Sequence, residues 1–493
     1  MKIFVWILLF LLVINVIAAL ITVFRKPRSI SSVLAWMMTL IFLPGIGFII
    51  YLFCGRGIDG QEVFKLSDDE KQMVQRIKEK VDVDNKKAGR DKRYDLLYDA
   101  KVLNRYFRNM DASPLAKRNS LQLFTDGQEK FQALFEDIRA AKETVHVEYY
   151  AFFNDTIGNQ FLDVLIEKLH EGVEVYLIYD PWGSPGANKK FFARYVDAGG
   201  KVAPFITSRD MIRKTRLNYH LHRKIVVIDG KIGWTGGFNV GDQYLNVTEK
   251  FGYWRDTHIR LVGTAVFSLQ EIFIMDWNAS VKYPEERMTY HEKYFKLPED
   301  HEVEHLSLQV VSDGPDSEEE ILKSGFVRMI FSAEKSVWIQ TPYLIPDDSM
   351  INALLVAVRS GVDVRIMIPC MPDHPFIYRA TQYYANYLHK RGIKIYIYDS
   401  GFIHAKTMVI DDELAMVGTT NQDIRSYSLN FEVSTFIYNP DIAWMLAQVF
   451  EEDIEKSVLL TDEIIKKQGY WLRFKQNFSR LLSPVLDRKS TRL

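Results

Sequence analysis

Two stretches of this 493-residue chain carry the same chemistry-bearing pattern. The first reads His222-Arg223-Lys224-Ile225-Val226-Val227-Ile228-Asp229, and the second His404-Ala405-Lys406-Thr407-Met408-Val409-Ile410-Asp411. Both fit H-x-K-x-x-x-x-D, so His, Lys and Asp recur at one constant offset. Each is followed, at the same distance beyond its His, by an Asn: Asn239 behind Gly236-Gly237-Phe238, and Asn421 behind Gly418-Thr419-Thr420. One copy is a weak signal; two copies at matching places with the same trailing Asn are a strong one. On a strand, His and the Lys two positions later face the same side, and the apolar residues before the Asp anchor that strand in a core. Two such strands facing each other bring two imidazoles and two ammonium groups to one pocket. Cations stabilise phosphoryl oxygens, and imidazole serves as nucleophile or as general acid and base. The expected chemistry is attack of one His on phosphorus while the other protonates the leaving alcohol. The Asn side chains donate further hydrogen bonds to phosphoryl oxygens.

The elements that must position these residues also repeat. A β-prone run at 144–150 is followed by a helical period (Phe161, Leu162, Leu165, Ile166, Leu169) and a second run at 172–178. The run at 336–343, the period Ile351, Leu354, Leu355, Val358 and the run at 361–368 restate that order about 190 residues later. Strands alternating with helices predict an α/β fold with a mixed or parallel sheet, and a duplicated unit places its active site where the halves meet. The expected organisation is an apolar hairpin at 1–56, a charged juxtamembrane linker at 57–115, a first repeat at 116–300 and a second at 301–493. In the linker, Ser67-Asp68-Asp69-Glu70 predicts a capping box opening a short polar helix to about Val81, a spacer without chemistry.

Residues 3–24 contain no charge and span roughly 33 Å as helix, enough to cross a bilayer core. A second charge-free run, 33–53, is interrupted by Pro44-Gly45. No small-x-small cleavage site precedes Arg25, and two such runs in tandem argue against a cleaved signal peptide or a buried core helix. The expectation is a transmembrane hairpin in a multi-pass cell-membrane protein. Basic residues flank it on both sides (Arg25, Lys26 and Arg28 in the loop; Lys2, Arg56, Lys65 and Lys71 opposite), so its orientation stays open. A composition of 47% hydrophobic and 25% charged residues excludes a disordered chain, and a net charge of −1 offers no basic excess for nucleic acid. Cys54 and Cys370 are too few for a disulfide framework.

These residues resemble the phospholipase D superfamily, and within it the bacterial cardiolipin synthases. The resemblance rests on the paired motif, Leu43-Pro44-Gly45 with Trp36 in the second apolar run, the run Tyr219-His220-Leu221-His222-Arg223-Lys224, Tyr253-Trp254-Arg255-Asp256, and the two Gly-containing turns before Asn239 and Asn421. It implies a bilobal α/β fold with a pseudo-twofold axis and no cofactor or metal. It implies His222 as nucleophile, His404 as acid and base, and Lys224, Lys406, Asn239 and Asn421 as the phosphate clamp. An acidic residue orients each His: Glu432 in the second copy and Asp256 in the first, although Asp256 lies further beyond its motif His than Glu432 does. Asp229 and Asp411, which complete the motif, are structural supports rather than proton carriers. The implied reaction joins two phosphatidylglycerol molecules into cardiolipin through a phosphatidyl-histidine. A hydrolase using water as acceptor and a non-catalytic lipid-binding scaffold are the rivals; six intact motif residues argue against the scaffold.

Other residues have plainer readings. His220-Leu221-His222 is half of a metal pattern, but Phe402 replaces His220 in the second copy and no matching carboxylate or thiolate set exists. His146 reads as a packed strand histidine, Tyr383 and Tyr387 as one packing face of a helix, and Cys370 as inert. From 466 to 493 the chain holds eight Lys/Arg against one acid, with Trp471, Phe474, Phe478, Leu481 and Val485 on one helical face. That pattern fits a helix docked on the core, an interfacial helix on anionic lipid, or both.

Overall fold

The computed structural model describes residues 66–486 apart from 90, 111–112, 206–218, 247–250 and 318; before 66 it describes only scattered positions, and after 486 none. Among the described residues no helix is long and apolar enough to cross a membrane. The expected hairpin at 3–24 and 33–53 falls mostly outside them.

The first half supplies strands β1 (Asn119–Phe124), β2 (Thr144–Tyr149), β3 (Glu174–Tyr179), β4 (Lys201–Pro204), β5 (His220–Leu221), β6 (Lys224–Ile228), β7 (Ile232–Gly236), β8 (Tyr253–Arg255) and β9 (His258–Gly263). The second supplies β10 (Leu308–Asp313), β11 (Ser336–Gln340), β12 (Leu344–Ile345), β13 (Asp363–Pro369), β14 (Lys394–Tyr398), β15 (Gly401–Ile403), β16 (Thr407–Ile410), β17 (Leu414–Gly418), β18 (Gln422–Asp423), β19 (Asn430–Ile437) and β20 (Ser457–Leu459). One sheet runs β1-β9-β7-β6-β2-β3-β4 and the other β10-β19-β17-β16-β11-β13-β14-β20. The first seven strands of the two orders correspond one to one, so the duplication read from sequence is a duplication of topology. In both, the strand–helix–strand units are parallel and the motif strands antiparallel. Helices Thr156–His170 and Asp348–Arg359 connect the parallel strands; of the apolar residues that marked them in sequence, Phe161, Leu162, Leu165, Ile351, Leu354 and Leu355 are buried, and Ile166, Leu169 and Val358 are half-buried against the core.

The sheets meet face to face. Ile225 and Val227 of β6 share one core cluster with Val409 of β16 and Val417 of β17. Burial of these side chains at about 25 cal/mol per Å² is what holds the motif strands of the two halves together.

The segment expected as a free spacer is packed. The capping box at Ser67 and Glu70 forms, with the Ser67 hydroxyl accepting from the Glu70 N–H and the Glu70 carboxylate accepting from the Ser67 N–H. The helix it opens runs beyond Val81, to Lys87. Ile77 and Val81 insert among first-half residues, and Asp84 is buried against Arg118 at 2.5 Å. Leu103 and Phe107 of the next helix, Tyr98–Asn109, enter the core of the second half. A charged composition concealed these contacts because only one narrow stripe of each helix is buried.

Candidate active site

Each motif is delivered by a short strand that leaves its own half. β5 pairs in parallel with β19, His220 opposite Asn430 and Leu221 opposite Phe431. β15 pairs in parallel with β8, Gly401 opposite Tyr253 and Ile403 opposite Arg255. The backbone carries each exchange one residue further: the His222 N–H donates to Phe431 O at 2.9 Å, and the His404 N–H to Arg255 O at 2.7 Å. Each His is thereby set beside the next residue of the opposite half. His222 Nδ1 lies 2.8 Å from Glu432 Oε2, and His404 Nδ1 lies 2.7 Å from Asp256 Oδ2.

The acids expected to orient the histidines do so, but crosswise. Pairing Asp256 with His222 and Glu432 with His404 inside their own copies is corrected by the exchange of strands between halves. The unequal spacings are immaterial, since neither acid serves the His of its own copy. Two glycines permit the approach. A Cβ on Gly237 would sit 1.8 Å from Asp256 Oδ1, and one on Gly401, which has a φ of 142°, would sit 2.1 Å from Tyr253 O. Where the first copy has Gly237 the second has Thr419, whose hydroxyl donates to Glu432 Oε2 at 2.5 Å.

With each Nδ1 committed to a carboxylate, Nε2 is the nitrogen left for chemistry. Lys224 opens β6 while His222 lies in the irregular link before it, so the two are not neighbours on one continuous strand as alternation suggested. The ammonium group folds back instead: Lys224 Nζ donates to His222 O at 2.6 Å, and Lys406 Nζ donates to His404 O and lies 2.9 Å from His404 Nδ1. All four side chains are buried. Burial pushes the His222 imidazole down to about 4 against the pull of Glu432, with Lys224 adding to the depression. Burial and then Lys406 lower His404 against Asp256. Burial brings Lys224 down to about 7 and Lys406 to about 8, against the neighbouring carboxylates. Burial opposes the charges of Glu432 and Asp256, but the facing His and Lys of each outweigh it and hold both carboxyls below their ordinary value. The free site therefore holds two neutral imidazoles, each backed by an anion, between two cations of lowered proton affinity. That arrangement suits an incoming monoanion that a basic nitrogen is to attack.

Asn239 and Asn421 are buried beside this centre. Asn239 Oδ1 accepts from the Ala151 N–H at 3.2 Å, and its Nδ2 donates to Tyr244 Oη at 3.0 Å. Asn421 Nδ2 donates to Ser426 Oγ at 3.2 Å. Each amide keeps a second N–H for a ligand. Asp229 and Asp411 lie at the far ends of the motif strands, with φ of 50° and 55°. Asp229 accepts the N–H groups of Lys142, Glu143 and Thr144, and Asp411 those of Glu334, Lys335 and Ser336. They tie the turn after each motif to the start of the adjoining strand, so they act on strand register, as structural supports.

Two arginines not singled out by sequence complete the site. Arg223 Nε donates to Glu432 O at 3.2 Å and its Nη1 to Asp276 at 2.5 Å. Arg255 donates to Asp256 O and pairs with Asp453 at 2.9 Å. Each guanidinium thus holds the backbone carbonyl of one His-orienting acid, and each is pinned by a buried Asp. The only signal in the sequence was their adjacency to motif residues. Beside Asp276, burial and the Asp276 charge push the Glu148 carboxyl well above its ordinary range. The equivalent residue beside Asp453 is Gln340, a neutral donor to Asp453 at 2.8 Å.

His220 is buried with Asp180 3.4 Å away, flanked by the rings of Tyr150 and Trp182. Among the described residues no three His, Cys, Asp or Glu are grouped to hold a metal ion. His146 is packed, stacked on Phe273 at 4.9 Å and paired with Gln270. The Tyr383 and Tyr387 rings stack at 6.5 Å.

A family model described as "Cardiolipin synthase, PLD-like domain" matches residues 134–259 and 326–454, and one described as "Phospholipase_D-nuclease N-terminal" matches 4–56. The chain is 45% identical over 492 residues to a cardiolipin synthase of Listeria monocytogenes serotype 4b (strain CLIP80459), covering 98% of this chain and 99% of that one. It is 44% identical to the major cardiolipin synthase of Bacillus subtilis (strain 168), covering 96% of this chain and 98% of that one. Among solved structures it is similar to a phosphatidylserine synthase of Haemophilus influenzae Rd KW20, with a TM-score of 0.58 and 16% identity over 78% of this chain and 98% of that one. At that identity the likeness shows the fold alone.

Proposed function

The chain belongs to the cardiolipin synthase family of the phospholipase D superfamily, and from that premise we propose how its two halves condense two phosphatidylglycerol molecules into cardiolipin and glycerol. The observation that carries the mechanism is the crossed pair of buried dyads, His222 with Glu432 and His404 with Asp256, between two buried lysines. The phosphodiester of the first lipid sits between Lys224 and Lys406, with the spare amide N–H groups of Asn239 and Asn421 on its oxygens. Its negative charge raises the proton affinity of both imidazoles, which protonates His404. His222 Nε2 attacks phosphorus; the P–O bond to glycerol breaks, and His404 gives its proton to the departing oxygen. The N–P bond leaves the His222 ring cationic at Nδ1–H, where the Glu432 carboxylate faces it. A hydroxyl of the second phosphatidylglycerol then gives its proton to His404 and attacks phosphorus, the N–P bond breaks, and cardiolipin leaves. Assignment of the nucleophile to His222 rather than His404 follows the family resemblance.

The two apolar runs at 3–24 and 33–53, with the N-terminal family match over 4–56, support attachment by a membrane hairpin that keeps the enzyme with its lipid substrates. The deciding experiment is to incubate the purified full-length protein with phosphatidylglycerol alone and identify the products. Cardiolipin and glycerol in equal amounts are expected; phosphatidic acid in place of cardiolipin would make water the acceptor and overturn the transferase reading.

A further inference from the structure

The last described helix, Tyr470–Leu486, is amphipathic the wrong way round for a helix docked on a protein core. The side it turns to the body is largely polar, with Leu472 half-buried on it. Gln476 and Ser479 are each only 3% exposed, and Gln476 joins Gln468 and Asn386 in an amide network, with Nε2 to Gln468 Oε1 at 3.1 Å and Asn386 Nδ2 to that same oxygen at 2.9 Å. The side turned outward is aromatic: Trp471 is 71% exposed, Phe474 50% and Leu481 70%. Trp471, Phe474 and Phe478 touch one another in series, at 5.8 and 6.1 Å between ring centroids, so the outward face is one continuous apolar strip. In water such a strip is unfavourable, and it marks a surface that something covers.

We propose that this strip is seated in the headgroup region of an anionic bilayer and holds the mouth of the active site against it. Charge selects this occupant over a second copy of the chain. Lys466, Lys467 and Lys475 are exposed around the strip, and between 466 and 486 there are five bases and no acid, a surface that repels its own copy and attracts anionic lipid. Position supports it too. Phe478 contacts Phe376 at 6.3 Å, at the start of the helix Pro375–His389 on which the tail lies. The loop leading into that helix belongs to the active-site rim: Met371 packs with Trp254 and Phe402 beside His404, and the Asp373 charge acts on Lys406. A helix joined to that rim by Phe478 on Phe376, held further along by the amides to Asn386, and set on the bilayer by its aromatic rings presents the pocket to lipid headgroups. The inference rests on the lipid-transferase reading only for its benefit to catalysis; the contact itself is read without turnover.

The test uses the full chain with Cys54→Ser and Cys370→Ser, a bimane fluorophore on Leu481→Cys, and reconstitution into vesicles whose acyl chains carry bromine. Vesicles containing about a third phosphatidylserine should quench the probe, and purely zwitterionic vesicles should quench it far less. Lys466→Gln, Lys467→Gln and Lys475→Gln together should weaken the seating by on the order of 100-fold. Trp471→Ser with Phe474→Ser should raise the apparent KM for phosphatidylglycerol in vesicles several-fold and leave kcat unchanged. Equal quenching in zwitterionic vesicles would overturn the proposal, as would a probe left unquenched in water. Energy transfer between differently labelled copies without quenching would assign the strip to self-association and overturn it as well. Loss of turnover with quenching intact would fault the transferase reading instead.

Discussion

Glu432→Gln isolates the crossed pairing, because the substitution removes a charge and little else. Glu432 is fully buried; Oε2 accepts from Thr419 and faces His222 Nδ1, while Oε1 accepts from Asn430 Nδ2 at 3.3 Å. A glutamine that keeps its oxygen toward Thr419 and His222 turns its NH2 toward Asn430. Asn430 Oδ1 is buried without a partner, so an amide flip at Asn430 accepts the new donor. The fold should therefore survive, with a melting temperature close to that of the parent. The lost quantity is the anion facing a ring that becomes cationic on phosphorylation. Removing one charge from a buried pair costs about 3–5 kcal/mol, which as a barrier is roughly 10²–10⁴-fold in rate. Glu432 also raises the proton affinity of His222, so its loss makes Nε2 a weaker nucleophile. The assay is a pre-steady-state burst with a phosphatidyl ester of p-nitrophenol, a leaving group that departs without a proton. His404→Ala, and Asp256→Asn through His404, should regain the burst with this substrate, since the step they impair is bypassed. Glu432→Gln should not regain it, because its lesion lies in nucleophilic attack, although Glu432 belongs to the same half as His404. If Glu432→Gln is rescued as well as His404→Ala, Glu432 serves the acid and the crossed reasoning is wrong.

Three further outcomes are expected. On the alkaline side, kcat/KM should fall as Lys224, near 7, and Lys406, near 8, lose the protons that bind the phosphodiester, while the fall in kcat is displaced upward because bound substrate retains those protons; a kcat/KM that stays flat to about pH 9 would remove the lysines from the phosphate site. Activity should persist in EDTA, because the buried lysines supply the positive charge a divalent ion would bring, and loss of turnover restored by one specific metal would refute the two-histidine mechanism. Labelled glycerol offered with cardiolipin should enter phosphatidylglycerol, since one phosphodiester is exchanged for another through the same intermediate; label that never reaches lipid would point to irreversible hydrolysis.

The sequence alone determined what is local or repeated. The strand–helix–strand order around the two H-x-K-x4-D motifs and the capping box at Ser67 depend on residues near one another in the chain and took the expected form, while the single strand expected to carry His222 and Lys224 is broken between them. Only the tertiary structure decided what depends on which strand lies beside which. His222 and Glu432 are 210 residues apart, and His404 and Asp256 are 148 apart; a two-residue ladder between β5 and β19, and a three-residue one between β15 and β8, set these partners. Neither ladder has a side-chain pattern of its own, because its specificity lies in backbone hydrogen bonds that every residue type offers. For the same reason, the anchoring of Glu432 and Asp256 by Arg223 and Arg255 was hidden, since both arginines reach carbonyl oxygens. The tail shows the remaining limit. Its apolar period fixed a helix with one aromatic face, but periodicity is silent on which face meets the protein, and the amide contacts of Gln476 with Gln468 and Asn386 turned that face outward.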